Sequence, residues 1–140
     1  MWTRIGIATT VEAMPGAVYA PRGVHHEFSM GLWGWSNNTA EAGSALINIF
    51  GIQDAKAGRG VSNVAGYSNP ALDALADRAL ATLDDAMRAA LFRDATQMTT
   101  DDVAMITLFH LINPWAARAG LTYQARADEQ TDAVDVRMAK

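Results

Sequence analysis

The chain has 140 residues, half of them hydrophobic and 19% charged, which suffices for one core and is too apolar for a disordered segment. Its net charge is −4, and the 11 basic residues are scattered, so it offers no basic surface for nucleic acid or anionic lipid. It contains no cysteine, which excludes disulfides, thiolate metal sites and cysteine nucleophiles.

The amino-terminal residues do not have the pattern of a signal peptide. A basic n-region and an apolar h-region of sufficient length are both missing, and no run of 18 apolar residues follows. We therefore expect neither an export signal nor a membrane anchor in the chain as given.

The first third of the sequence predicts short elements. Residues 5–8 are typical of a strand, and residues 11–19 of a short helix that closes before Pro21. Residues 27–35 are rich in aromatics and interrupted by glycines, which predicts a strand that another backbone or a ligand approaches closely. Residues 41–50 have helical apolar spacing, with a glycine placed as a carboxy-terminal cap.

A helical hairpin is the clearest structural prediction. After a glycine-rich loop, residues 54–68, Asn69 is placed as an N-cap and Pro70 as the first helical residue. Leucine and alanine then recur with helical spacing over residues 70–83, and the acidic pair that follows caps a second helix over residues 84–98. A tight turn between them makes the two helices antiparallel.

The last third predicts strands. Residues 103–112 form a nearly continuous apolar run, which is typical of a strand buried on both faces. Residues 115–123 are typical of another strand or an extended crossing, and the alternation of Val134 and Val136 predicts an edge strand in a polar tail. We therefore predict one α/β domain over residues 1–140, with the hairpin packed on strands that include residues 103–112.

No pattern indicates a metal, a nucleotide cofactor or a catalytic set. His25 and His26 are adjacent and point to opposite faces of an extended segment, and His110 has no companion at ligand spacing. Gly58 and Gly60 lack the third glycine of a dinucleotide loop, and the acidic pairs lie at helix boundaries, where carboxylates cap N–H groups. We therefore expect no enzyme, no metal and no cofactor.

Two tryptophans suggest a ligand surface. Trp33 and Trp35 are two residues apart, so on a strand their indoles would project from the same side, next to the amides of Asn37 and Asn38. Such a ledge can sandwich a ligand. The alternative, that both indoles are core aromatics, stays open at this point.

Several stretches resemble one protein family. The segment YSNPALDAL at residues 67–75 is similar to a conserved element of family 5 extracellular solute-binding proteins, and the segment WGWS at residues 33–36 resembles the family's Gly-Trp strand. Further similar stretches occur in the family's order at residues 2–19, 102–108 and 115–123. The resemblance covers nearly the whole chain.

This resemblance implies a fold and a role. The chain would be the carboxy-terminal part of a two-lobed periplasmic binding protein (type II, cluster C), a partial lobe with a mixed sheet, flanking helices and a helical hairpin. The family implies a non-enzymatic substrate-binding component of an ABC importer, located in the periplasm, that captures peptide-like or related small solutes and binds ABC permease subunits. Family members are much longer, so the amino-terminal lobe would be missing.

The resemblance also implies site residues. It places Trp33, Trp35, Asn37 and Asn38 on one wall of the solute cleft, with Asn113 and Trp115 as further candidates. Members that bind free peptides carry an Asp for the ligand's ammonium group where this sequence has Asn38, so the charge-assisted hydrogen bond is lost. The surrounding residues look closer to the subgroup that includes glutathione-binding proteins.

A second interpretation belongs to another functional class. The chain would be a freestanding α/β interaction module that uses the apolar surface a partner lobe would otherwise cover. The same surface predicts self-association into a homo-oligomer.

Overall fold

Helices dominate the described part of the chain, which comprises residues 2–37, 41–126 and 128–139 of a computed structural model. In chain order the elements are a 3₁₀ helix Trp2–Ile5, α1 Gly16–Val24, α2 Gly43–Asn48, α3 Pro70–Ala81, α4 Asp85–Asp101, β1 Leu121–Tyr123, a 3₁₀ helix Ala133–Asp135 and β2 Val136–Met138. None of the helices in these residues is long and apolar enough to cross a membrane.

The predicted helical hairpin is confirmed, including its caps. Asn69 Oδ1 accepts hydrogen bonds from the backbone N–H groups of Ala71 and Leu72 at 3.0 and 3.2 Å, and Pro70 is the first residue of α3. Asp84 Oδ1 accepts from the backbone N–H of Met87 at 2.7 Å and begins α4. Both helices therefore start where a side chain satisfies N–H groups that have no intrahelical partner.

α4 continues beyond the predicted end at residue 98. The Thr99 and Thr100 hydroxyls donate to the carbonyl oxygen of Thr96 at 2.8 and 3.0 Å and so find partners within the helix. The helix then ends at Asp101. The prediction was wrong here because threonine can satisfy its hydroxyl inside a helix.

The core lies between α2, α3 and α4. It consists of two large apolar residues from α2 and α3, one aromatic from α4 and three alanines: Leu46, Leu72, Phe92, Ala76, Ala79 and Ala95. A Cβ atom added at Gly43 would lie only 2.9 Å from the Phe92 ring, so glycine is what allows α2 to approach α4 this closely. Small side chains at the contacts bring the three helices together.

The loop between α2 and α3 is organised by one buried amide. Asn63 Nδ2 donates to the carbonyl oxygens of Gly51 and Tyr67 at 2.9 and 2.7 Å, and its Oδ1 accepts from the Tyr67 N–H at 3.1 Å. Arg59 pairs with Asp73, at 3.2 Å, and with Asp77, both on α3. Asn63 therefore holds the connection to itself, and Arg59 joins it to α3.

The amino-terminal predictions are corrected in two ways. Residues 5–8 and 27–35 form no strand; the first begins inside the 3₁₀ helix Trp2–Ile5. The predicted helix over residues 11–19 lies later, at Gly16–Val24, and contains Pro21 instead of closing before it. In so short a helix the missing proline N–H costs a single hydrogen bond, which explains why the helix tolerates Pro21.

The sheet is much smaller than predicted. β1 and β2 pair antiparallel, with Leu121 opposite Met138 and Tyr123 opposite Val136. An edge strand was predicted at residues 134–136, and the observed strand β2 begins at Val136. The mixed sheet with flanking helices, implied by the resemblance, is not found in the described residues. What the structure shows is a mixture of helices with one small antiparallel sheet.

The predicted strand over residues 103–112 is absent. This segment is neither helix nor strand, and its seven large apolar side chains are between 39% and 91% exposed. Within the described residues, the backbone of residues 105–117 takes part in no hydrogen bond to another backbone group. The hairpin therefore does not pack on a strand at this position, because a strand needs neighbouring backbone that the described chain does not supply.

Candidate ligand-binding site

Trp33 belongs to an aromatic cluster. Its ring centroid lies 5.3 Å from that of Tyr19, which in turn stacks on Phe28 at 5.2 Å. The guanidinium carbon of Arg22 sits 4.7 Å from the centre of the Phe28 ring. Tyr19 and Arg22 are three residues apart on α1 and therefore share a face, which positions the cluster. For Trp33 the packing interpretation fits the structure, since the side chain is half-buried against Tyr19.

Trp35 is the more accessible of the two indoles. Its side chain is 40% exposed, whereas Trp33 is half-buried. Asn37 Nδ2 donates to the backbone oxygen of Glu41. Asn38 lies outside the described residues. The residues around Trp35 therefore present one exposed aromatic face followed by an amide.

Asn113 and Trp115 are held by the carboxy-terminal loop. Asn113 Nδ2 donates to Glu129 Oε1 at 2.7 Å, and Trp115 Nε1 donates to Thr131 Oγ1 at 3.2 Å. The Trp115 ring centroid lies 6.5 Å from that of Tyr123 on β1. These contacts fix both side chains to the region of the small sheet.

The two groups of candidates lie on neighbouring segments. A Cβ atom added at Gly34 would lie 3.9 Å from Leu111 Cδ1. The stretch that contains Trp33 and Trp35 therefore passes close to the segment that leads to Asn113. Among the described residues, no ring contact or hydrogen bond joins Trp33 or Trp35 to Asn113 or Trp115. The structure thus brings the segments together without forming a closed site.

A groove beside α4 was not predicted from the sequence. It has a volume of about 470 Å³ and is open to solvent. It is lined by one aromatic ring, small apolar groups and polar side chains: Glu41, Ala42, Asp85, Ala89, Phe92, Arg93, Thr96, Gln97 and Thr100. The sequence signal that could have indicated this groove is the helical spacing of polar residues on the exposed face of α4. A helix face that contacts only solvent has the same pattern, so the groove could not be distinguished from it.

Ion pairs fix the end of this groove. Arg88 contacts Glu41 at 3.0 Å and Asp85 at 2.6 Å. The hydrogen bond with Asp85, followed by the one with Glu41, raises the pKa of the Arg88 guanidinium. The backbone oxygen of Glu41 also accepts a hydrogen bond from Asn37 Nδ2, so one residue of the groove contacts the segment that follows Trp35.

A second charged cluster lies in the carboxy-terminal region. Arg126 contacts Asp128 at 2.5 Å, and Asp132 and Asp135 each at 3.3 Å. The Arg126 hydrogen bond lowers the pKa of the Asp128 carboxyl to about 2. The carboxylates are thus engaged with Arg126, and the cluster stabilises the loop before β2.

The candidate surface combines apolar and polar groups. Within the described residues, no group of three His, Cys, Asp or Glu side chains is placed to hold a metal ion. The candidate surface offers an exposed indole, amides and a half-polar groove, which can contact a small organic solute on an apolar face and a polar edge.

Comparison with known proteins gives one distant similarity. The chain is 26% identical to heme-binding protein A of Haemophilus influenzae over 111 residues, which are 79% of this chain and 20% of that protein. The chain thus spans about a fifth of the length of this relative. No family model matches the sequence, and no solved structure matches it. The similarity supports a distant relationship to a protein whose name describes it as heme-binding.

Proposed function

We propose that this chain is part of the substrate-binding component of an ABC importer, a carboxy-terminal portion of a family 5 solute-binding protein that works in the periplasm and binds permease subunits. The observation that carries the proposal is the similarity to heme-binding protein A over 79% of the chain. The same role makes the chain a carrier and not an enzyme. It is supported by the exposed indole of Trp35 and the amide of Asn37 that follows it.

The proposed solute site is built around Trp35 and Asn38. Trp35 supplies an exposed apolar face, Asn37 and Asn38 supply polar edges, and Glu41 lines the groove beside α4. Trp33, in the same segment, packs against Tyr19 of α1. Asn113 and Trp115 complete the site when the two segments close on a ligand.

Two classes of solute fit this surface. The first is a peptide-like molecule whose amino group is blocked or engaged elsewhere, because Asn38 offers an amide where a carboxylate would pair with a free ammonium group. The second is a large planar molecule of the heme type, which the name of the relative suggests and which an exposed indole can stack against. Both share a flat or apolar body with polar edges.

Calorimetric titration with hemin, glutathione and a set of short peptides tests the proposal. One of these probes should bind, and Trp35→Ala should weaken that binding by about 2 kcal/mol if the indole is an anchor. Trp2→Ala is a matched control, because Trp2 has a similar exposed fraction, 37%, but lies in the amino-terminal 3₁₀ helix.

Asn38→Asp separates the two solute classes. A carboxylate at this position should improve the binding of peptides with a free amino group and weaken the binding of the native solute, because an unpaired charge in a dry site is unfavourable. If Trp35→Ala and Asn38→Asp both bind the identified solute as the wild type does, the Gly-Trp segment has only a structural role and the site assignment is wrong.

The second candidate function is an interaction module. It is favoured by the exposed apolar side chains of residues 103–112, which a partner would cover. The absence of binding to every probe would count against solute capture and favour this function.

A further inference from the structure

Residues 103–112 have the composition of a buried strand but the environment of a surface loop. The segment contains no Lys, Arg, Asp, Glu or Pro, the residues by which exposed strand edges normally avoid pairing with other chains. Its apolar side chains occupy both alternating faces and are mostly exposed. Among the described residues, the backbone of residues 105–112 has no backbone hydrogen-bond partner, and such a row is a template for strand addition.

The start of the segment holds a strained residue. Val103 has φ of 49°, in the left-handed region that a β-branched residue rarely adopts. The strain arises because α4 ends in a Schellman motif, in which the N–H of Ala104 donates to Thr99 O and the N–H of Val103 donates to Thr100 O. Glycine normally occupies this position, whereas valine prefers the β region. Moving into a strand would release the strain at Val103.

The sequence of the segment is compatible with pairing to itself. In an antiparallel pair related by a two-fold axis, one residue lies opposite its own copy, and the others pair symmetrically about it. With Thr107 at the centre, Met105 lies opposite Phe109 and Ile106 opposite Leu108. Threonine with threonine and apolar with aromatic are favourable cross-strand pairs, and no like charges meet.

We propose that residues 103–111 pair antiparallel with the same segment of a second copy of this chain, centred on Thr107. The occupant is a second copy because the self-complementary register supplies a favourable partner for each large side chain and covers the unpaired backbone edge. The pairing does not depend on solute binding, since it uses neither Trp35 nor the groove beside α4.

Cysteine cross-linking tests the register, because the chain has no cysteine of its own. Under mild oxidation Thr107→Cys should form a disulfide-linked dimer about tenfold faster than Thr10→Cys, an exposed threonine elsewhere, because pairing raises the local concentration of the two thiols. A mixture of Met105→Cys and Phe109→Cys chains should cross-link faster than either variant alone. Equal rates at positions 107 and 10, or no advantage for the mixture, would overturn the proposal.

Sedimentation tests whether the association is specific. Ile106→Lys should abolish the dimer by placing a charge opposite Leu108, whereas Val11→Lys, at another exposed apolar residue, should leave it intact. A far-UV spectrum with unchanged helix content shows that Ile106→Lys still folds. A wild-type chain that stays monomeric at high concentration, or equal loss of association in both variants, contradicts strand pairing.

Discussion

The helical region, residues 42–102, and the carboxy-terminal region, residues 103–139, contain similar apolar side chains in opposite environments. Leu72 on α3 is fully buried, and the Phe92 ring is buried against α2. Ile106 and Ile112, by contrast, are 69% and 91% exposed. Both regions are comparably hydrophobic, so hydrophobicity does not explain the difference in burial. The difference arises from the contacts that a helix and a strand each need in order to bury apolar side chains.

The comparison shows how locality decides burial. A helix satisfies its backbone within the segment, so three short helices can bury their apolar faces on one another with few other contacts. A strand needs backbone partners on neighbouring strands, and an apolar strand also needs cover on both faces. Among the described residues the carboxy-terminal region supplies only one three-residue pair, β1 with β2. The rest of its apolar surface remains exposed.

Replacing one leucine in each region gives the largest contrast. Leu72→Ala should lower the free energy of unfolding by about 2 to 5 kcal/mol, because it leaves a cavity between α3 and α4. Leu111→Ala, at a residue that is 71% exposed, should change it by less than about 0.5 kcal/mol at dilute concentration. Urea unfolding followed by circular dichroism measures both. A large loss for Leu111→Ala would show that residues 103–112 are packed, and the contrast between the two regions would disappear.

The junction between the regions gives a smaller effect. Val103→Gly should raise the free energy of unfolding by about 1 kcal/mol, because glycine adopts the left-handed conformation without the steric conflict of a Cβ atom. Val103→Ala keeps the Cβ atom and serves as the control, with little expected gain. Thermal unfolding of the three proteins measures the difference. Equal stability of the glycine and alanine variants would mean that Val103 is not strained.

The smallest expected effect depends on pH and concerns the link between the two helix ends. Tyr67 Oη and Asn69 Nδ2 donate to Asp102 Oδ2 at 2.5 and 2.8 Å, and these bonds, the Tyr67 bond first, hold the pKa of the Asp102 carboxyl below its usual value. Because the folded-state pKa is lowered, the stabilisation is present above the unfolded-state pKa of about 3.9 and is lost as pH falls through the folded-state pKa.

Unfolding measured between pH 7 and pH 2 tests this link. The wild type should be more stable than Asp102→Asn at pH 7, and the difference should shrink once the pH falls below about 4. Tyr67→Phe removes the main donor and should reduce the pH dependence in the same range. A difference between wild type and Asp102→Asn that stays constant over the whole range would show that the carboxylate is not stabilised by these bonds.

Several features of the helical region could be predicted because their causes are local. The Asn69 and Asp84 caps depend on residues two or three positions away, and the buried face of α3 follows from leucine and alanine spacing. The buried role of Asn63 could not be predicted in this way. Its partners, the backbone of Gly51 and Tyr67, come together only when the loop closes over α3.

The candidate site shows the same division. The sequence indicated an aromatic and amide segment, and the tertiary structure placed Trp33 against Tyr19 while leaving Trp35 more exposed. Whether an indole packs or stays accessible depends on which ring lies beside it, and that ring comes from α1.

By itself, the sequence determined the helical hairpin, its caps and the apolar character of residues 103–112, since each is a property of neighbouring residues. Only the tertiary structure decided that α2 contacts α4 at Gly43 and that residues 103–112 form no strand. The physical reason is that a helix carries its hydrogen-bond partners within its own segment, whereas a strand depends on partners that its own residues cannot specify.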